Sequence, residues 1–156
     1  MSREDYLQEY GMPRMTKDQM DEFLKGGSHL MKLATLSPNG APYVNPVWYD
    51  YNGEAFHVAG RRKATWVANI TEDSRVSFCI DTSEPPYKRV IVGGSAMIED
   101  GAWLGDWEHW AVRYLGREAG HRYYEDTKAT PRALIRITAE TITTWAGPGW
   151  HPRYEE

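Results

Sequence analysis

Residues 41–81 read APYVNPVWYDYNGEAFHVAGRRKATWVANITEDSRVSFCID, and the fold prediction rests mainly on them. Two β-type runs meet at Asn52-Gly53, a dipeptide that favours a two-residue hairpin turn. A short helical pattern over residues 64–70 follows, and residues 75–80 alternate again as a strand. This order predicts an antiparallel β-sheet interrupted by a short helix.

Three adjacent cations stand where the second run ends and the helical pattern begins: Arg61, Arg62 and Lys63. Guanidinium groups donate paired hydrogen bonds to phosphate oxygens, and the free N–H groups at a helix start favour an anion. A basic triplet alone is more often a solvated turn than a binding site. Its position between a strand and a helix makes it a candidate phosphate site.

The rest of the chain predicts further strands and helices. Thr16 and Gln19 form a capping-box pattern, after which Met20, Phe23 and Leu24 give the apolar stripe of a helix. Further strands are expected at residues 29–36, 43–51, 54–59, 89–98, 133–138 and 141–145, with a bulge at Gly93-Gly94. Short antiparallel strands of this kind predict a small β-barrel decorated by helices.

Residues 103–124 show the spacing of helices, divided at Gly116 and Gly120. Four aromatic residues recur there at intervals of three and four, namely Trp103, Trp107, Trp110 and Tyr114. Such a stripe is more typical of a packing face than of a ligand site.

The composition of the chain argues against some partners and some classes of protein. A net charge of −4 argues against nucleic acid as the main partner, since that partner selects a broad basic face. The single cysteine, Cys79, excludes an internal disulfide framework and is expected in the core. No apolar run is long enough to span a membrane and the N-terminus is charged, so we expect a cytoplasmic protein. A single domain over residues 1–156 is expected, with an N-terminal arm at 1–15 and a C-terminal tail at 147–156.

Five segments together resemble a known family: LATLSPNGAPYVNPVWYDYNGEAFHVAG, RRKATWVANITEDSRVSF, VIVGGSAMIED, RYLGREAG and ALIRITAETITTW. In order and spacing they are similar to the pyridoxamine 5′-phosphate oxidase-like FMN-binding split barrels, a group that includes oxidoreductases using coenzyme F-420. The resemblance implies a mainly β fold with helices (α+β), a six-stranded antiparallel split β-barrel. It also implies a homodimer, with the flavin ring in a cleft between the subunits.

The resemblance also implies a set of cofactor-binding residues. It places the following beside the flavin ring: Asn45, Pro46, Val47 and Trp48, with Val58 and Ala59 on the next strand. Arg62 and Lys63 match the phosphate-binding pair of the family, with Arg61 as a neighbour that adds to it. Arg89 stands where pyridoxamine phosphate oxidases have a glutamine that contacts the ring. This departure implies either a cation near the flavin that stabilises the reduced, anionic ring, or a different cofactor.

Several functions remain open. The first is an FMN-dependent oxidoreductase acting on a small organic substrate; the alternatives are a coenzyme F-420-dependent reductase, a non-catalytic flavin or haem carrier, and a cofactor-free dimeric barrel. The tail GWHPRYEE only faintly matches the substrate motif of true pyridoxamine phosphate oxidases, so oxidation of vitamin B6 is not expected. No catalytic residue is expected, because flavin chemistry proceeds through the cofactor. The five histidines show no metal-ligand spacing, and no metal is expected.

Overall fold

A computed structural model describes Asp5 and residues 14–147, which form four helices and seven strands. The helices are α1 (Lys17–Lys25), α2 (Thr65–Glu72), α3 (Glu108–Leu115) and α4 (Arg117–Thr127). The strands are β1 (Met31–Leu36), β2 (Pro42–Val47), β3 (Tyr49–Tyr51), β4 (Phe56–Arg61), β5 (Arg75–Asp81), β6 (Tyr87–Trp103) and β7 (Arg132–Gly147). Most of the expected arm and tail, residues 1–4, 6–13 and 148–156, lies outside the described residues. In the described part, no helix has the length and apolar character needed to cross a membrane.

All seven strands belong to one antiparallel sheet, in the order β2-β1-β5-β6-β7-β4-β3. The predicted α+β class, with mainly β structure, is confirmed. The prediction of a six-stranded split barrel is wrong in its strand count, and no ladder joins the edge strands β2 and β3 to close the sheet within the described residues. The expected strand over 43–51 divides at Trp48, because the residues before it pair with β1 and those after it pair with β4. The two edge strands are thus consecutive in sequence and joined by Trp48 alone, so the sheet must curl to bring its edges together.

The hairpin predicted at Asn52-Gly53 is present, but its connection has four residues. Tyr51 and Phe56 are the last pair of the ladder. Asn52 Oδ1 accepts the backbone N–H groups of Glu54 and Ala55, both at 2.9 Å, and Gly53 has a φ of 97°. The asparagine side chain therefore closes a longer turn, which shifts the start of β4 from residue 54 to residue 56.

The main core lies on one face of the curled sheet, and α1 and α2 pack against it. The capping box of α1 is confirmed, and Met20, Phe23 and Leu24 are buried as the stripe predicts. Largest among the fully buried side chains of the sheet are Met31, Leu33, Tyr49, Phe56, Val58, Ile80, Val90, Val92, Ile135 and Ile137. Their period of two along each strand follows from the alternation of side chains in a sheet.

A second, smaller core lies on the opposite face, where α3 and α4 cover β4 and β7. Trp107, Trp110 and Ala111 are buried there against Ala59 and Leu134, among others. The expected break between the helices at Gly116 is confirmed, and its φ is 85°. The break expected at Gly120 is wrong, since this glycine lies inside α4. A Cβ there would be 2.5 Å from Val112 Cα, so Gly120 lets the two helices approach closely.

Two further predictions from the sequence concern the long strands β6 and β7. The bulge predicted at Gly93-Gly94 is confirmed as a shift of register between these residues. The two strands expected at 133–138 and 141–145 are one continuous strand, β7, whose register shifts opposite that bulge. The irregularity bends the strand without ending it.

Candidate functional site

A cleft of about 320 Å³ lies beside Trp48, between β4 and the helices α3 and α4. Its lining residues are Asn45, Pro46, Val47, Trp48, Ala59, Gly60, Arg61, Ala64, Trp66, Trp107, Trp110, Tyr123 and Arg132. Six of the ten residues predicted from the resemblance are among them: Asn45, Pro46, Val47, Trp48, Ala59 and Arg61. That these residues bind a cofactor stays a prediction.

The floor of the cleft is formed by β4, whose side chains alternate between the cleft and the core. Ala59 is half-buried and faces the cleft, whereas the neighbouring Val58 is fully buried in the main core. Val58 was predicted to line the site, but a ligand in this cleft could meet only its backbone. Gly60 is needed for close packing, because a Cβ there would lie 2.2 Å from Cζ2 of Trp66.

One wall of the cleft is Trp48, and a stacked tyrosine holds it in place. The rings of Trp48 and Tyr114 are parallel within 1°, with their centroids 5.0 Å apart. The Tyr114 hydroxyl donates to the carbonyl of His29 at 2.8 Å and accepts the N–H of Tyr49 at 3.2 Å. Burial raises the pKa of Tyr114 to about 12, so it stays neutral and keeps both hydrogen bonds. The indole wall is therefore fixed before any ligand arrives.

Two of the residues that line the cleft each have a buried polar atom that lacks a hydrogen-bond partner within the described structure. They are Asn45 Oδ1, an acceptor, and Trp107 Nε1, a donor. Trp107 is only 3% exposed, and Tyr124 packs its ring edge-on against the indole at 5.2 Å. A buried polar atom left unpaired costs about 1–3 kcal/mol. A ligand whose acceptor and donor reached both atoms would recover that free energy.

The opposite end of the cleft is cationic. Arg61 ends β4 and Arg132 begins β7, and the two are paired across the ladder. The Arg132 guanidinium lies 3.8 Å from the centre of the Trp107 ring, a cation–π contact. This end of the cleft therefore attracts anions.

The other two cations of the triplet lie outside the cleft. Arg62 and Lys63 are exposed in the turn between β4 and α2, and within residues 14–147 they make no hydrogen bond or ion pair. The N-cap of α2 is Ala64, which has no side-chain acceptor to offer the first N–H groups of the helix. A phosphate at this turn could bind both cations and those N–H groups, so the predicted phosphate site is geometrically open.

Arg89 is another predicted residue that lies outside the cleft. It lies on β6, paired with Asp81 on one side and Trp145 on the other, and its guanidinium is 5.6 Å from the Trp145 ring centre. Within one chain it does not line the cleft.

Sequence reasoning also missed residues of the cleft. Trp107 and Trp110 were interpreted as a packing face, and they both pack and line the cleft. Arg132 was missed because it stands one residue before the predicted strand, and only the pairing of β4 with β7 brings it beside Arg61. Among Asp5 and residues 14–147, no three His, Cys, Asp or Glu side chains come together as a metal site, and the absence of a metal stays a prediction.

Comparisons with known proteins agree with this architecture. The sequence model of a family described as pyridoxamine 5′-phosphate oxidase matches residues 16–146. No curated protein matches the chain. Among solved structures, a conserved hypothetical protein from Mycobacterium tuberculosis is 23% identical with a TM-score of 0.67, over 86% of each chain.

Two further structures differ in what their names say they do. A protein described as an F-420 reductase is 23% identical with a TM-score of 0.61, over 78% of this chain and 94% of that one. A haem-binding protein from Mycobacterium smegmatis is 22% identical with a TM-score of 0.61, over 89% of this chain but 57% of that one. At these identities the likeness shows a shared fold alone.

Proposed function

The chain belongs to the pyridoxamine 5′-phosphate oxidase family, and from this premise we propose that it is an oxidoreductase that binds a flavin-type cofactor in its aromatic cleft. The observation that carries the proposal is the pair of unpartnered buried atoms, Asn45 Oδ1 and Trp107 Nε1. A flavin or deazaflavin ring presents N–H and C=O groups along one edge, which suit an acceptor and a donor. Flat apolar walls with a few directed polar groups are typical of cofactor sites.

The residues of the cleft divide into three roles under this proposal. Asn45 would accept a hydrogen bond from a ring N–H group, and Trp107 would donate one to a ring acceptor. Trp48 and Ala59 would supply apolar contact and keep water from the ring. The cations from Arg61 to Lys63 would hold the phosphate. The bound cofactor would supply hydride transfer, while the protein positions the ring and tunes its environment.

FMN is the cofactor we propose first, with coenzyme F-420 as the alternative. The net charge of −4 favours the less acidic cofactor, FMN. The cationic end of the cleft, Arg61 with Arg132, supports F-420, whose longer acidic tail needs more positive charge. A haem carrier is less well supported, because among the described residues the cleft is lined by no His, Cys or Met, and Tyr123 is the one side chain there that could bind iron.

We also propose that the protein acts as a homodimer on a small organic substrate. Arg89 would take part in the site only if a second copy of the chain brought it to the cleft. Sedimentation velocity of the purified protein tests this proposal, and a monomer at micromolar concentration would remove the predicted role of Arg89.

The cofactor site can be tested by titrating the protein with FMN and riboflavin, which differ only in the phosphate. We expect wild type to bind FMN more tightly than riboflavin. Arg62→Ala combined with Lys63→Ala should reduce FMN affinity by about 1.5–3 kcal/mol while leaving riboflavin unchanged, as expected for lost charge-assisted hydrogen bonds. Arg75→Ala is the matched control, since Arg75 is exposed and its one ion pair within the described part of the chain is with Asp73. An unchanged FMN affinity in the double variant would show that the phosphate lies elsewhere.

Turnover separates an enzyme from a carrier. The loaded protein should reduce a dye with NADPH or with reduced F-420 as the electron donor. A protein that binds the cofactor but passes no electrons to any acceptor would be a carrier, and the oxidoreductase proposal would fail.

A further inference from the structure

We propose that the cleft ends in an anion subsite, formed by Arg61 and Arg132 beside the ring of Trp107, which binds the carboxylate or phosphate of an aromatic ligand. The inference deepens the proposed function, on which it rests, by naming the class of molecule that the cleft accepts. The anionic group could belong to a separate substrate or to the cofactor itself, and the experiment below distinguishes these sources.

The first support is the pairing of two like charges. Arg61 and Arg132 are direct partners in the β4–β7 ladder. Side chains of such partners lie on the same face, about 4.5–5.5 Å apart at Cβ, and like charges there are destabilising. Ala59, two residues before Arg61 on β4, and Leu134, two residues after Arg132 on β7, pack toward α3 and α4. Side chains two residues apart on a strand share a face, so both arginines lie on the side of the cleft. In the described structure neither arginine has a carboxylate partner, so a bound anion would relieve the repulsion.

The second support is the way Arg132 is held. Its Nη1 donates to the carbonyls of Thr127 and Thr130 at 3.3 and 3.2 Å, and its Nη2 donates to Thr127 Oγ1 at 3.2 Å. These bonds use three of the five N–H groups of the guanidinium and leave Nε and one Nη2 hydrogen without an acceptor among the described residues. A guanidinium already fixed against the Trp107 ring loses little further freedom when it binds an anion.

The third support is the set of aromatic rings that line the cleft beside the two arginines. Trp107 is buried, and the Arg132 guanidinium lies over its ring. Trp48, Trp110 and Tyr123 line the adjoining part of the cleft. An inorganic anion would leave these rings unused, and a neutral aromatic molecule would leave the cations unused. An aromatic carboxylate or phosphate uses both.

The test compares 2-naphthoate with the neutral 2-naphthamide, which has nearly the same shape, by calorimetry at low salt. Wild type should bind 2-naphthoate at least about tenfold more tightly, with an affinity that falls as salt rises. Arg132→Gln should remove this preference. Arg132→Lys should keep part of it, because the ammonium group retains the positive charge but cannot donate two parallel hydrogen bonds as the planar guanidinium does. Arg136→Gln is the matched control. Arg136 lies four residues along the same strand, outside the cleft, near Glu99.

Binding of FMN and of riboflavin to the Arg132→Gln variant shows whether the anionic group belongs to a separate substrate or to the cofactor. If the subsite serves a separate substrate, Arg132→Gln weakens 2-naphthoate but leaves FMN and riboflavin binding unchanged, and FMN-loaded protein still binds 2-naphthoate. If it serves the cofactor, the variant weakens FMN but not riboflavin, and FMN displaces 2-naphthoate. The inference is overturned if wild type binds 2-naphthoate and 2-naphthamide equally, a comparison that needs no variant to fold. It is also overturned if folded Arg132→Gln changes neither 2-naphthoate nor FMN binding. Failure of the proposed function is a different result: neither FMN nor F-420 binds, whatever the naphthoate result.

Discussion

Gly60→Ala tests how the strand β4 positions the cleft. The added Cβ would lie 2.2 Å from Cζ2 of Trp66, and since Cβ atoms essentially never come within 3.0 Å of such a neighbour, the ring must move by at least 0.8 Å. Trp66 is 7% exposed and packed in the main core, so the ring has little room. Overpacking of this kind costs about 1–3 kcal/mol. The lower entropy of the unfolded chain returns roughly 0.4–1 kcal/mol. We therefore expect a net loss of about 1–2 kcal/mol in the free energy of unfolding.

The assay is urea denaturation followed by circular dichroism, with Gly101→Ala as the matched control. Gly101 also lies on a strand, but a Cβ there meets nothing within 4 Å, so its variant should stay within about 0.5 kcal/mol of wild type. In a Trp66→Leu background, Gly60→Ala should cost far less, giving a coupling energy of about 1 kcal/mol. Because Trp66 also lines the cleft, the single variant should bind FMN roughly fivefold more weakly. A Gly60→Ala protein as stable as wild type, with unchanged FMN affinity, would refute this placement of Trp66.

Three other predictions concern the helices that cover the cleft. Arg113 donates hydrogen bonds to the carbonyl of Leu24, in the last turn of α1, and to the carbonyl of Gly27, just after that helix. Arg113→Ala should therefore lower the free energy of unfolding, measured by urea denaturation, by about 2–3 kcal/mol. Arg122→Ala is the control and should have little effect, because Arg122 is exposed. Gly120→Ala should lower the melting temperature by several degrees, because its Cβ would meet the backbone of Ala111 and Val112, which cannot rotate away. The hydrogen bond to Glu108 raises the pKa of His121 above its usual 6.5, so the pair stabilises the fold below that pH and the effect is lost as the pH rises through the raised pKa. NMR titration of His121 should show this pKa falling toward 6.5 in Glu108→Gln, and an unchanged value would contradict the pairing.

The sequence predicts best the elements whose geometry is set by residues close together in the chain. The α1 helix follows from its capping box and apolar stripe, and the break at Gly116 follows from a positive φ that glycine adopts readily. The glycines at 93–94 mark the bulge correctly, but the extra residue, Glu140, lies on the partner strand β7, where a break between two strands was expected from the sequence.

The sequence predictions fail where the structure depends on pairing between strands. Trp48 lies within a continuous β-type run, and only the change of pairing partner from β1 to β4 divides that run. The hairpin at Asn52 is longer than predicted because its side chain, rather than the turn dipeptide alone, closes the loop.

The candidate site was predictable in part for the same reason. Asn45 to Trp48 and Ala59 belong to neighbouring segments of sequence, and a family resemblance finds them. Arg132 joins the cleft only through the pairing of β4 with β7, and Trp107 only through the packing of α3 on that face. The alternation of β4 turns Val58 into the core, a consequence of strand geometry that a list of motif positions does not contain.

The central claim is that the aromatic cleft holds a flavin-type cofactor, and one titration tests it most directly. Purified protein freed of bound small molecules is titrated with FMN and with coenzyme F-420 while the visible absorption of each ring is recorded. We expect saturable binding of one of them at micromolar concentration or below, with a shifted ring spectrum, because Asn45, Trp107 and Trp48 would enclose the ring. A folded protein that shifts the spectrum of neither cofactor at these concentrations would contradict the claim.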